Sequence, residues 1–189
     1  MPDKHNRRSI RLGGYDYAQP GAYFVTICTR DMESLFGHVV NGEMHLNEAG
    51  AIAQRCWEDI PHHFPSVELD AFVIMPNHVH GIIVIGCKGE ASVPPHAFQE
   101  QSGSDASPLR QPPHGTQPGS LSAIVQNFKS ISTRRMNAAC GALGTPVWQR
   151  NYYEHVVRNE TELTAIREYI LANPARWDDD ENNPRNVMP

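Results

Sequence analysis

The sequence lacks the features that would mark a membrane or exported protein. It contains no run of about 18 consecutive apolar residues, the length that a membrane-spanning helix requires. The first residues carry charges but have no apolar segment behind them, as a secretory signal would. We therefore expect a cytoplasmic protein that does not associate with membranes.

Cysteine is scarce and scattered, which argues against two further classes. The 189 residues include four cysteines, Cys28, Cys56, Cys87 and Cys140, and none forms a Cys-x-x-Cys pair. This spacing argues against a zinc ribbon and against a disulfide framework. Gly13-Gly14 lacks the pattern of a phosphate-binding loop, and no internal repeat is present. Zinc-finger and kinase-like functions therefore have no support.

The net charge of −5 argues mildly against nucleic-acid binding, but the charge is unevenly placed. The basic residues of the N-terminus, opposed there only by Asp3, are Lys4, Arg7, Arg8 and Arg11. The acidic residues near the C-terminus are Asp178, Asp179, Asp180 and Glu181. We therefore predict a basic arm (residues 1–14), a folded domain (15–177) and an acidic tail (178–189). The arm is either a phosphate-binding element or a solvated terminus.

Hydrophobic patterning predicts an α+β fold. Segments rich in β-branched and aromatic residues predict strands at residues 21–30, 67–75, 78–85 and 147–158, and Asn41-Gly42 predicts a hairpin. Helices are predicted to begin at Asn47, near Ser120 and at Asn159, the first stopping near Pro61 and the last at Pro174. Residues 86–118, rich in proline, glycine and serine, predict a flexible insertion. We expect a mainly antiparallel sheet with helices packed on one face.

Two histidines stand at alternate positions at the start of the strand predicted over residues 78–85. Because residues i and i+2 of a strand face the same side, about 6.6–7 Å apart, His78 and His80 project together. Two neutral imidazoles can bind one divalent ion near pH 7, and Gly81 is expected to leave space beside them. On this spacing alone, a pair of surface or hydrogen-bonding histidines is the alternative.

The last helix carries a second pair of chemically capable residues. Tyr169 and Asn173 are four apart and so lie on one helical face, next to the apolar stripe. Tyr169 can supply a nucleophilic phenol, and Asn173 a carbonyl oxygen for a metal. The alternatives are a boundary tyrosine with a solvated hydroxyl and a polar residue that merely ends the helix before a proline.

Residues 148–158 combine aromatic and basic side chains. Aromatic rings stack on unpaired bases and arginines bind phosphates, so the mixture suits single-stranded nucleic acid. The side chains concerned are Trp148, Tyr152, Tyr153, Arg150 and Arg158. A strand whose aromatic residues simply pack into the core is the alternative.

Three runs, in this order, resemble the single-tyrosine HUH transposases, and among them the REP-associated tyrosine transposases. The runs are Met75-Pro-Asn-His-Val-His-Gly-Ile, Trp148-Gln-Arg-Asn-Tyr-Tyr-Glu-His-Val-Val-Arg and Arg167-Glu-Tyr-Ile-Leu-Ala-Asn-Pro. The resemblance covers roughly residues 8–177, apart from the insertion. It implies a ferredoxin-like sandwich in which His78 and His80 bind a metal that Asn173 completes, with Tyr169 as the nucleophile.

The same resemblance implies a reaction and its partners. It implies a metal-dependent single-stranded DNA endonuclease and strand transferase that acts on hairpin or palindromic repeat DNA through a 5′-phosphotyrosine, with Mg²⁺ or Mn²⁺. The protein would then be nucleoid-associated, and either a monomer or a homodimer. Beside the stacking residues Tyr152 and Tyr153, we expect phosphate contacts from Arg7, Arg8, Lys129, Arg134, Arg150 and Arg158.

Two other functions compete with this one. A repressor-like protein derived from a transposase would bind DNA without cutting it, and would not need the two histidines together with Tyr169 and Asn173. A metal-dependent nucleotide hydrolase would need a further ligand in phase with the histidines, but residue 82 is Ile and residue 84 is Val.

Overall fold

The computed structural model describes residues 15–86 and 117–186. The strands are β1 (Gly21–Cys28), β2 (Gly37–Val40), β3 (Glu43–Leu46), β4 (Val67–Ile74), β5 (His78–Ile85) and β6 (Tyr153–Val157). The helices are α1 (Glu48–Glu58), α2 (Ile60–His63), α3 (Leu121–Cys140) and α4 (Glu160–Ala172). No helix in these two ranges is long and apolar enough to cross a membrane. The predictions for the N-terminal arm, with Arg7 and Arg8, and for nearly all of the insertion fall outside the described residues.

Four of the strands form one antiparallel sheet in the order β4-β5-β1-β6, while β2 and β3 form a separate hairpin. Along the chain, β1, α1, β4, β5, α3 and β6 follow the βαββαβ order of a ferredoxin-like fold. The prediction of an α+β fold with an antiparallel sheet is confirmed. α4 is an addition to this core after its last strand.

The sheet is buried on both faces, which differs from the expectation that all helices pack on one. Val25 and Ile27 of β1 belong to the larger core cluster, together with residues of α1 and α3. Ala22 and Phe24 of the same strand pack instead with Ile82 and residues of α4. Because β1 and β5 carry apolar side chains on both faces, each face needs a cover. α4 therefore lies opposite α1 and α3.

Local signals set the ends of most elements as predicted. Asn41 and Gly42 have φ of 51° and 77°, the left-handed pair that a two-residue type I′ hairpin requires. The Asn47 side chain accepts a hydrogen bond from the Gly50 amide at 2.9 Å and caps α1. The Asn159 side chain does the same for α4, from the Glu162 amide at 2.8 Å.

Two prolines do not stop helical structure where the sequence suggested. α1 ends at Glu58, and Pro61 falls in the first turn of α2, where a missing N–H removes no helical hydrogen bond. Pro174 likewise begins a 3₁₀ segment, Pro174–Asp179, that continues from α4. Residues 147–152 are also less regular than predicted, since they form no strand and only Trp148 among them makes an isolated β-bridge, to Thr29.

One ion pair ties α4 to the sheet. Arg167 donates from Nε to Oδ1 of Asp70 at 2.9 Å and from Nη2 to Oδ2 at 2.6 Å, a bidentate contact between α4 and β4. These hydrogen bonds hold the pKa of the Asp70 carboxyl below its ordinary value, against the effect of burial. A second, more exposed contact joins Arg167 to Glu160 of the same helix at 3.3 Å. The first pair therefore anchors α4 to β4, in addition to the apolar packing between α4 and the sheet.

We predict that Asp70→Asn lowers the free energy of unfolding by about 1–3 kcal/mol at pH 7, because it removes a charged bidentate contact. The folded-state pKa of Asp70 lies below the unfolded value of about 3.9. Its contribution is therefore present above that value and is lost as the pH falls through the lower folded-state pKa. Urea unfolding measures the free energy of unfolding at pH 7 and at pH 3. The difference between these two values should be smaller in the variant than in the wild type.

Glu160→Gln provides the matched control for this ion pair. It removes the negative charge of the exposed contact to the same arginine and should change the free energy of unfolding by less than about 0.5 kcal/mol. Equal losses in the two variants would contradict the assignment of Asp70 as the anchoring residue.

Candidate functional site

His78 and His80 lie side by side on the face of the sheet that α4 covers. Both are buried, with 0% and 2% of their surface exposed, and their ring centroids are 4.4 Å apart. Val79 between them belongs to the core on the opposite face. The alternation of β5 therefore brings the two imidazoles together as predicted from their spacing.

The hydrogen bonds of Asn77 fix the orientation of His78. The Asn77 amide nitrogen donates to the carbonyls of Met32 at 3.1 Å and Asn182 at 2.7 Å. Its Oδ1, 2.8 Å from His78 Nδ1, must then be an acceptor, so His78 carries its proton on Nδ1. The lone pair of the imidazole is on Nε2, the arrangement usual in metal-binding histidines.

His80 is held in a similar way and stays neutral. Its Nδ1 lies 2.9 Å from the Thr26 hydroxyl, and its Nε2 lies 3.3 Å from the Tyr169 hydroxyl. Burial, and secondarily the neighbouring His78, lower the pKa of His80 well below its ordinary value, with Asp180 opposing the shift. At pH 7 the ring is uncharged and can act as a ligand or a hydrogen-bond acceptor.

A carboxylate joins the two histidines. Asp180 is buried, and one ligand atom from each of Asp180, His78 and His80 lies within 4.8 Å of the others. Asp180 follows the 3₁₀ segment, in a turn where its Oδ1 accepts from the Asn182 amide at 2.6 Å. Sequence analysis missed this residue, because it stands in a run of acidic residues that resembles a solvated tail.

Asn173, the predicted third metal ligand, is also buried and has an unsatisfied oxygen. It ends α4 with 3% of its surface exposed, and its Oδ1 has no hydrogen-bond partner among the described residues. A buried carbonyl oxygen left in this way costs about 1–3 kcal/mol, which a bound cation would offset. Imidazole nitrogens with an amide and a carboxylate oxygen form a donor set that suits a divalent ion.

α4 places Tyr169 over the histidines. The Tyr169 ring is 5.2 Å from the His80 ring and 6.1 Å from Phe24, and 41% of the residue surface is exposed. Its hydroxyl therefore lies next to a buried, neutral imidazole, on a residue that is itself partly exposed. The structure thus brings together His78, His80 and Tyr169, which the sequence spaces 91 positions apart at most.

The two tyrosines of residues 148–158 point in different directions. Tyr152 turns toward α3, where its hydroxyl is 3.3 Å from the Ser122 hydroxyl and the Lys129 ammonium lies 5.3 Å from its ring centroid. Tyr153 lies on the face of the sheet that carries the histidines, 6.2 Å from the Phe24 ring. The structure therefore separates two residues to which the sequence assigned one role.

The predicted phosphate-binding residues are not gathered at this site. Lys129 donates to the backbone carbonyls of Gln149 and Asn151, each at 3.0 Å, and burial lowers the pKa of its ammonium to about 8. Lys129 and Arg134 belong to α3, on the face of the sheet opposite the histidines. The exposed basic residues near β6 are Arg150, before the strand, and Arg158, after it.

Comparison with known proteins gives a relative at the level of sequence. An uncharacterized protein of Haemophilus influenzae is 44% identical over 181 residues, which cover 94% of this chain and 93% of that protein. No family model matches the chain.

Comparison with solved structures identifies the fold. The structure of a REP-associated tyrosine transposase bound to a REP hairpin matches with a TM-score of 0.54 and 18% identity, over 89% of this chain and 73% of that chain. At this identity the likeness concerns the fold, and it agrees with the resemblance carried by the three sequence runs. The chain therefore belongs to one family with the Haemophilus influenzae protein, and its fold is that of the REP-associated tyrosine transposase.

Proposed function

We propose that this chain is a metal-dependent single-stranded DNA endonuclease and strand transferase that uses Tyr169 as its nucleophile. The observation that carries the proposal is the Tyr169 hydroxyl, 3.3 Å from His80 Nε2 at the edge of a buried His78–His80–Asp180 cluster. A repressor would have no use for an exposed phenol beside such a cluster. A simple hydrolase would not need the phenol.

The proposed reaction exchanges one phosphodiester for another. The Tyr169 oxygen attacks phosphorus and forms a Tyr–O–P bond while the P–O3′ bond breaks. The leaving 3′ oxygen takes up a proton and becomes a hydroxyl, and the DNA stays attached through a 5′-phosphotyrosine. Because no bond energy is lost to water, the strand can later be rejoined to another 3′-hydroxyl.

The phenol proton must leave as the attack proceeds, since the ordinary pKa of tyrosine is about 10. In this proposal His80 donates its Nδ1 proton to the Thr26 hydroxyl. Its Nε2 then has one lone pair, which can accept the Tyr169 hydrogen bond or bind a metal, but not both. With a metal bound, the exposed side of Tyr169 gives the proton a path to solvent.

The residues of the site fit a divalent ion, with Mg²⁺ or Mn²⁺ as the proposed cofactor. His78 and His80 would hold it, with Asn173, Asp180 or both as oxygen ligands. When bound, such an ion withdraws negative charge from the scissile phosphate and favours attack. The fixed Nδ1 partners, Asn77 and Thr26, keep both imidazoles oriented for this role.

The proposed substrate is hairpin DNA with single-stranded flanks. The REP-associated transposase that shares this fold was solved with a REP hairpin bound. Exposed Arg150 and Arg158 flank β6, and Arg7 and Arg8 remain proposed phosphate contacts from the N-terminal arm. One chain supplies the histidines and Tyr169 at contact distance, so a monomer suffices for cleavage in this proposal, and assembly into a homodimer is not required.

We predict that Mn²⁺ binding distinguishes the two oxygen ligands. Isothermal titration should show that Asp180→Asn and Asn173→Ala each weaken binding at least about tenfold if both residues contact the ion, because the first removes the negative charge of a ligand and the second removes a ligand atom. Asp179→Asn is the matched control, since it removes the same charge from the same segment at an exposed position. An unchanged affinity in Asn173→Ala would show that the ligand predicted from sequence is wrong.

We predict that Tyr169→Phe abolishes covalent attachment of DNA while leaving the fold intact. Wild-type protein incubated with hairpin DNA bearing randomised single-stranded flanks, with Mn²⁺ or Mg²⁺, should form an adduct that survives a denaturing gel. Tyr152→Phe is the control, because its hydroxyl faces α3 and should not contribute to chemistry.

The other outcomes of this assay would reject the nucleophile or indicate a competing function. Adduct formation by Tyr169→Phe would reject the assignment of the nucleophile. Cleavage without any covalent species in the wild type would indicate a hydrolase, and binding without cleavage would indicate a repressor.

A further inference from the structure

Tyr153 stands in one row with the site, across three neighbouring strands. Thr26 of β1 pairs with His80 of β5 on one side and with Tyr153 of β6 on the other. Residues paired across strands project to the same face, so Tyr153 and His80 share the face that α4 covers. With strands about 4.8 Å apart, Tyr153 lies about 10 Å from His80 across the sheet.

The two exposed tyrosines of this face are arranged around one buried ring. Phe24 stacks on His80 at 5.5 Å and contacts both Tyr153 and Tyr169 edge-on, at 6.2 Å and 6.1 Å. Tyr153 is 38% exposed and Tyr169 is 41% exposed. The buried Phe24 ring therefore supports two partly exposed tyrosine rings, one of which belongs to the proposed nucleophile.

The chain before Tyr153 is held in place from the other side of the sheet. The Lys129 ammonium donates to the carbonyls of residues 149 and 151, and it lies over the ring of Tyr152. Because consecutive side chains of an extended chain alternate in direction, holding Tyr152 toward α3 directs Tyr153 to the face that carries the histidines. The direction of the Tyr153 side chain is thus set before any ligand binds, which lowers the entropy lost on binding.

We propose that Tyr153 is a stacking platform for an unpaired base next to the scissile phosphate. This rests on the proposed function, and it assigns Tyr153 a substrate contact that Tyr152 does not share. An unpaired base presents an open π-face that suits a partly exposed tyrosine ring whose direction is already set, whereas a base within a duplex is already stacked. Stacking at this position would align the single strand so that its phosphate meets Tyr169.

The test separates the contribution of the Tyr153 ring to binding from that of its hydroxyl. It also separates the contribution of the DNA bases from that of the DNA backbone. The probe is a fluorescein-labelled twelve-nucleotide oligo-dT strand, compared with the same strand made of abasic sites, in EDTA so that no cleavage occurs. Tyr153→Phe keeps the aromatic ring, while Tyr153→Leu keeps an apolar side chain but loses the ring. Thermal unfolding of each variant confirms that the fold is retained.

We predict that Tyr153→Phe binds oligo-dT within about twofold of the wild type, and that Tyr153→Leu binds it about 5- to 100-fold more weakly. Neither variant should change binding of the abasic strand. Equal binding of oligo-dT by the Leu variant and the wild type would overturn the proposal. So would an equal loss on both strands, or no binding of oligo-dT by the wild type.

The outcome is distinct from that of the cleavage assay. Ring-dependent binding without a covalent adduct would keep the stacking role and reject the proposed reaction. An adduct on Tyr169 together with normal oligo-dT binding by Tyr153→Leu would keep the proposed reaction and reject the stacking role.

Discussion

The whole site depends on the burial of the central strands on both faces. Because β1 and β5 carry apolar side chains on either side, the face left open by α1 and α3 has to be covered by α4. The bidentate contact from Arg167 to Asp70 sets where that cover lies. Tyr169, two residues beyond Arg167, then falls above the histidines. Packing and one ion pair thus place the phenol at the proposed metal centre.

The parts of the structure that sequence could predict are those set by short-range geometry. Two-residue alternation was enough to pair His78 with His80, and side-chain caps located the starts of α1 and α4. The hairpin at Asn41-Gly42 follows from the same kind of local constraint. The pairing of Tyr169 with the histidines came from the resemblance, since no local rule joins positions so far apart.

Features that are set by packing between distant segments could not be predicted from the sequence. Asp180 looks like part of a solvated tail, yet the turn that Asn77 holds brings it to the histidines. Gly81 was expected to leave space beside the histidines, but a side chain there would overlap the ring of Trp57 on the opposite face. The sequence predicted that Lys129 binds phosphate, whereas in the structure its ammonium donates hydrogen bonds to backbone carbonyls of its own chain.

The proposed chemistry joins a neutral imidazole pair, oxygen ligands at the end of α4 and beyond, and one exposed phenol. Its central claim is that the phenol of Tyr169 becomes the covalent link to DNA. Mass spectrometry of the trypsin-digested and nuclease-trimmed adduct measures this most directly. The account predicts a nucleotide on the peptide of residues 168–176, which contains Tyr169. A nucleotide on the peptide of residues 151–158, which contains Tyr152 and Tyr153, would contradict it.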